Sequence, residues 1–186
     1  MYRVPPCTYH FAILQSFPYP ECIITAPAPY TPTEFEKVTY YYGIPPDPPE
    51  LLYRSNWADT PFYRPTGGRF QHIPAKTAHG IFNTPLNPVW RTVAPQIRDE
   101  LKRRKIRYSA IHTARFASED GKGLITVTEN RKKDTLGPVV IWIAVHPGST
   151  TAEDAHLASP AILALLEAHG VRGTVVEWYE GAVRRL

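Results

Sequence analysis

The densest group of chemistry-bearing side chains in the 186-residue chain is His146, Ser149, Glu153, Asp154 and His156. His146-Pro147-Gly148-Ser149 follows the most apolar run of the sequence, Val139 to Val145, and precedes a helical pattern. A central strand handing over to a helix start is where open α/β sheets often place ligands. In one reading His146 acts as a base, Ser149 as a nucleophile and Asp154 as the group that orients the imidazole. In another, His146, Glu153 (or Asp154) and His156 hold a metal ion through two imidazoles and a carboxylate. Against both, Ser149, Thr150, Glu153 and Asp154 are the residue types a helix N-terminus uses for capping and for its dipole. Their spacing matches neither the HExxH pattern nor a triad signature. The expectation is therefore a strand stop and helix start, with a hydrolase centre as the alternative.

A second candidate is basic. Arg103, Arg104, Lys105 and Arg107 follow Lys102, and Arg131, Lys132 and Lys133 form a further run. Such clusters contact phosphates when aromatic or base-reading partners accompany them. The net charge is only +4, with a pI near 9.1. Residues 1–85 carry six basic and six acidic side chains, so the whole excess lies in the remainder. A solvated helix end is the plainer reading, and nucleic-acid binding is expected to be weak at most. Gly67-Gly68 after Pro65-Thr66 reads as a turn, because no phosphate-loop lysine or dinucleotide fingerprint accompanies it. No cofactor is implied.

The elements that must position these residues lie in the second half. Seventeen of the 20 prolines fall within residues 1–95, and nine of the 11 tyrosines precede residue 64. Proline donates no backbone hydrogen bond and restricts its predecessor. Residues 1–50 thus read as a Pro/Tyr-rich extended arm, partly ordered or disordered. Residues 51–86 read as an irregular strap pinned by aromatic residues such as Trp57, Phe62 and Phe70.

From residue 87 the texture changes. Asn87-Pro88 fits an N-cap and first helical position, and Val89, Trp90, Val93, Ile97 and Leu101 recur at helical spacing. Strands are expected at Ile106 to Phe116, Leu124 to Thr128, Val139 to Val145 and Gly173 to Glu180, with Asp120-Gly121-Lys122-Gly123 as a turn. Thr150-Thr151-Ala152-Glu153 fits a capping box before a helix whose apolar face is Ala155, Ala158, Ile162, Leu165 and Leu166. Pro95 and Pro160 argue for a bend or restart in the two helices. The order helix-strand-strand-strand-helix-strand predicts an α+β domain over residues 87–186: a mixed sheet of about four strands with two main helices. That order is similar to the core of restriction-type nucleases, but Val139 to Val145 lacks the acid-x-Lys such a strand needs to hold a metal.

Cys7 and Cys22 form no metal-ligand pattern and read as free thiols of a reducing compartment. No secretory leader is evident, and no apolar run reaches the ~18 residues of a membrane span. The expectation is a cytoplasmic protein with no membrane contact.

Several stretches resemble a large uncharacterised family of fungal proteins. They are Leu51-Leu52-Tyr53-Arg54-Ser55, Pro61 to Thr66, Val89-Trp90, Ala94 to Arg98, Ala114-Arg115-Phe116, Gly137 to Val145, Pro147-Gly148-Ser149 and Glu153-Asp154-Ala155. In longer members the similar region leads a part that looks like a degenerate trypsin-like peptidase. The resemblance implies no catalytic residue for residues 51–180. Together these readings favour a non-catalytic binding or regulatory module whose partner is another protein or a second copy of the chain.

Overall fold

Buried positions at 86, 93, 97 and 101 draw one stripe down a helix, and positions 155, 158, 162 and 166 draw another. Spacings of three, four and seven place such residues on one face, which must pack against something apolar. In the computed structural model they pack on one face of a five-stranded sheet. The structure describes residues 28–44, 47–63, 73, 75–118 and 136–181. The expected strand at 124–128, the turn at 120–123, Gly67-Gly68, both cysteines and residues 131–133 lie outside the described residues.

The element order is α1 (Glu34–Thr39), β1 (Glu50–Arg54), β2 (Lys76–His79), α2 (Leu86–Arg103), β3 (Tyr108–Ser118), β4 (Leu136–Val145), α3 (Ala152–Ala168) and β5 (Val175–Glu180). The sheet runs β1-β5-β4-β3-β2. Only β4 and β5 are parallel, because α3 carries the chain back between them; every other pairing is antiparallel. The protein is thus α+β with a mixed sheet. Both edges, β1 and β2, come from the proline-dense half expected to form only an arm and a strap. The proline-free stretch from Glu50 to Thr60 leaves room for the five residues of β1, and at an edge Pro49 before it removes no ladder hydrogen bond.

Alternation along the strands makes two cores. Ile141, Ile143, Val145, Val176 and Trp178 face α2 and α3. Val140, Ala144, Val175 and Tyr179 face the other way, where Tyr40, Tyr41 and Leu51 cover them with Phe116 and Ala114. Trp178 is fully buried, and its Nε1 donates to Ser159 Oγ at 2.9 Å, tying β5 to α3.

Both helices run through their prolines. Pro95 and Pro160 lie on exposed sides, so the apolar stripes continue unbroken opposite them. Helix α2 starts one residue before the expected cap. Asn87 instead braces the preceding turn, its Oδ1 accepting from Thr84 N and Oγ1, both at 2.8 Å. The capping box of α3 is shifted by one residue: Thr151 is the cap and Asp154 the reciprocal partner.

Candidate functional site

The strand-to-helix turn is occupied by its own structure. Ser149 Oγ donates to the His146 carbonyl at 2.6 Å, not to an imidazole. The Asp154 carboxylate accepts from Thr151 N at 3.0 Å and Thr151 Oγ1 at 2.8 Å. His156 stacks on Tyr30, with ring centroids 4.0 Å apart and planes at 6°, and its Nδ1 lies 3.1 Å from Tyr53 Oη. His146, Ser149 and Asp154 therefore do not assemble as base, nucleophile and orienter: two of the three groups are spent on backbone capping. His146, Glu153 and His156 also do not converge, and among the described residues no group of three or more His, Cys, Asp or Glu is placed to hold a metal ion. Helix capping dictated these residue types. Thr151→Ala is accordingly expected to cost about 1 kcal/mol in urea unfolding, the usual value of a lost cap.

The basic cluster at the end of α2 is partly neutralised. Arg103 donates to Glu100 through Nε and Nη2, at 2.8 and 2.6 Å, and Arg104 Nε donates to the same carboxylate at 2.6 Å. These bonds pull the Glu100 carboxyl down to about 2. Lys105 and Arg107 are exposed beyond them. A three-charge knot of this kind is ordinary helix-end stabilisation.

Two other places were not singled out from the sequence. The first is a groove of about 630 Å³ outside the carboxyl ends of the parallel strands. Strand β4 contributes Trp142 and β5 contributes Tyr179, whose rings lie 4.4 Å apart at 34°. Pro48, Pro49, Pro147 and Ile44 form the apolar rim. Asp47, Glu50 and Glu180 add three carboxylates, and no basic side chain among the described residues lines the groove. Glu180 Oε1 accepts from Gly148 N at 3.1 Å. Gly148 has φ +66°, a conformation glycine adopts without strain, so the turn after β4 also sets this carboxylate. Lys37 reaches Glu50 at 2.9 Å from α1, and its ammonium pKa is raised by that hydrogen bond.

The second place is a buried polar cluster on the face covered by α1. Glu177, only 2% exposed, accepts from Tyr40 Oη at 2.7 Å and from Tyr41 Oη at 2.8 Å. Burial, reinforced by the Glu177 charge, pushes both phenols well above their usual range. Arg54, 3% exposed, pairs with Glu36 at 2.6 Å and donates to the Thr60 carbonyl at 2.6 Å. Lys76 Nζ sits 3.0 Å from the centroid of the Tyr40 ring. Burial lowers its pKa to about 8. A single acid inside the apolar run Val175-Val176-Glu177-Trp178-Tyr179 was the available sequence signal for this cluster. Its partners lie 136 and 137 residues away, and no spacing rule connects them.

Compared with protein families, curated proteins and solved structures, the chain finds no match. Among the described residues no helix is long and apolar enough to cross a membrane.

Proposed function

We propose that the protein is a non-catalytic binding module and that the groove outside β4 and β5 receives an extended, positively charged segment of a partner protein. The observation that carries this reading is the lining itself. It joins a Trp142–Tyr179 pair to a proline rim and three carboxylates, of which Glu50 is paired with Lys37, and no basic side chain among the described residues lines it. Aromatic-lined grooves suit proline-rich segments, whose preformed extended helix enters with little ordering cost. Aromatic faces and carboxylates both attract ammonium and guanidinium groups.

The test is titration of the full chain with an extended Pro/Arg-containing peptide and with its Pro/Glu counterpart, followed by backbone NMR shifts. The basic peptide is expected to shift Trp142, Tyr179 and Glu180 and to weaken with added salt. Trp142→Ala is expected to reduce its affinity about tenfold, a typical cation–π and packing loss. Equal binding of the two peptides, or none by either, overturns the reading. Solution mass of the free chain reports whether a second copy is itself a partner.

A further inference from the structure

We propose that Lys76 is a reactive amine that condenses with small uncharged aldehydes or ketones and holds the resulting protonated imine in the cavity beside Glu177. This site is separate from the groove, and neither reading depends on the other.

The backbone aims the side chain. Lys76 opens the edge strand β2, where its N–H donates to the Tyr42 carbonyl at 2.6 Å. Gly43, at φ +95°, passes so close to Ala75 that an added Cβ would stand 2.8 Å from its methyl group. This clamp fixes the start of β2 and sends the lysine chain across the sheet face. Its Nζ ends over the Tyr40 ring, 5.6 Å from the centre of Tyr41 and 6.0 Å from that of Phe116. Among the described residues no carboxylate lies within ion-pairing distance of it. Lys76 and Tyr40, over which the amine sits, line a cavity of about 160 Å³ together with Glu177, Asn56 and Ser118. At ~30 Å³ per water, that space takes a molecule of a few heavy atoms. Ser118 is exposed and Asn56 half-buried, so the cavity reaches the surface.

The charges select the chemistry. The groups acting on the amine are Glu177 from β5, Glu36 from α1, Arg54 from β1, and the Tyr40 ring. Two carboxylates face two cations, so the cluster is neutral when Lys76 is charged. Acylation would remove the lysine charge and carbamate formation would reverse it, leaving the cluster net negative. Imine formation keeps the positive charge. The unprotonated Nζ adds to the carbonyl carbon, forming the C–N bond and a hydroxyl. That hydroxyl takes up a proton and leaves as water. The product is an iminium carrying the same single positive charge as the ammonium it replaces, so the ring face and Glu177 continue to stabilise it. A substrate with its own carboxylate is disfavoured beside Glu177.

The experiment is reductive trapping on the full chain with propanal and cyanoborohydride, mapped by peptide mass spectrometry across pH 6–10. At pH 7.5 Lys76 is expected to be modified more than about tenfold faster than the exposed Lys102 and Lys105. Its rate is expected to reach half-maximum near pH 8, and propanal is expected to outpace glyoxylate. Lys76→Arg should abolish the fast adduct while leaving the melting curve unchanged. Modification of Lys76 at or below the rate of the exposed lysines overturns the proposal. So does a half-maximum above pH 9.5, or a fast reaction seen only in denaturant.

Discussion

Glu177→Ala is expected to lower stability by about 3–5 kcal/mol and the melting temperature by about 10 °C. The carboxylate is the common acceptor of two buried phenols, 2.7 and 2.8 Å away. Removing it leaves both hydroxyls buried without that partner, at about 1–3 kcal/mol for each unsatisfied group. It also unbalances the positive charges of Arg54 and Lys76. Glu177→Gln keeps one carbonyl acceptor and is expected to lose roughly half as much. Urea unfolding followed by tryptophan fluorescence measures both, and an alanine variant within about 1 kcal/mol of wild type contradicts the account. The alkaline limb adds a check. The folded state holds the Tyr40 and Tyr41 protons beyond the pH at which the unfolded chain releases them, so stability falls as pH rises past about 10. Burial is the leading cause of the shift and the Glu177 charge the next, so Glu177→Ala should make that fall shallower but not abolish it.

Arg54→Ala is the second large effect, also about 3–5 kcal/mol. The guanidinium joins three pieces of chain: Glu36 on α1, the end of β1, and the turn through Asn56 and Thr60. Without it Glu36, 8% exposed, is left as a buried unpaired carboxylate. The measurement that isolates the pair is the double variant Glu36→Leu/Arg54→Met. Replacing both charges with apolar groups should recover most of the stability that Arg54→Ala loses, because an apolar pair of similar volume avoids the stranded charge. A double variant that is no more stable than Arg54→Ala alone removes the stranded carboxylate as the explanation.

Periodicity made much of the helix-packed layer readable in advance. Val93, Ile97 and Leu101 on α2, Ala155, Ala158 and Ile162 on α3, and the continuous apolar run of β4 each record the partner they pack against. The covered face left no such record. Tyr40 and Tyr41 follow a helix of only six residues, and β1 and β2 are five and four residues long, too short to display a period among prolines. The turn at His146 to Asp154 drew attention because capping and catalysis use the same residue types. The groove was invisible for a different reason. Ile44, Pro48, Trp142 and Tyr179 are brought together by the parallel pairing of β4 with β5 and the antiparallel pairing of β5 with β1. That information belongs to topology and not to any local window.

The position of β5 in the sheet has a consequence for how the protein is made. The last of the described strands is an interior one, with Glu50 opposite Glu180 on one side and Val145 beside Glu180 on the other. During synthesis β1 emerges well before β5, its partner strand among the described residues. A nascent chain lacking β5 exposes two unsatisfied strand edges and leaves both cores without their β5 residues, Val176 and Trp178 on one face and Val175 and Tyr179 on the other. Folding is therefore governed by a late, long-range event, which makes it slow for the chain's length. It also leaves a window in which chaperones, or the exposed edges of another nascent chain, compete for the vacant place.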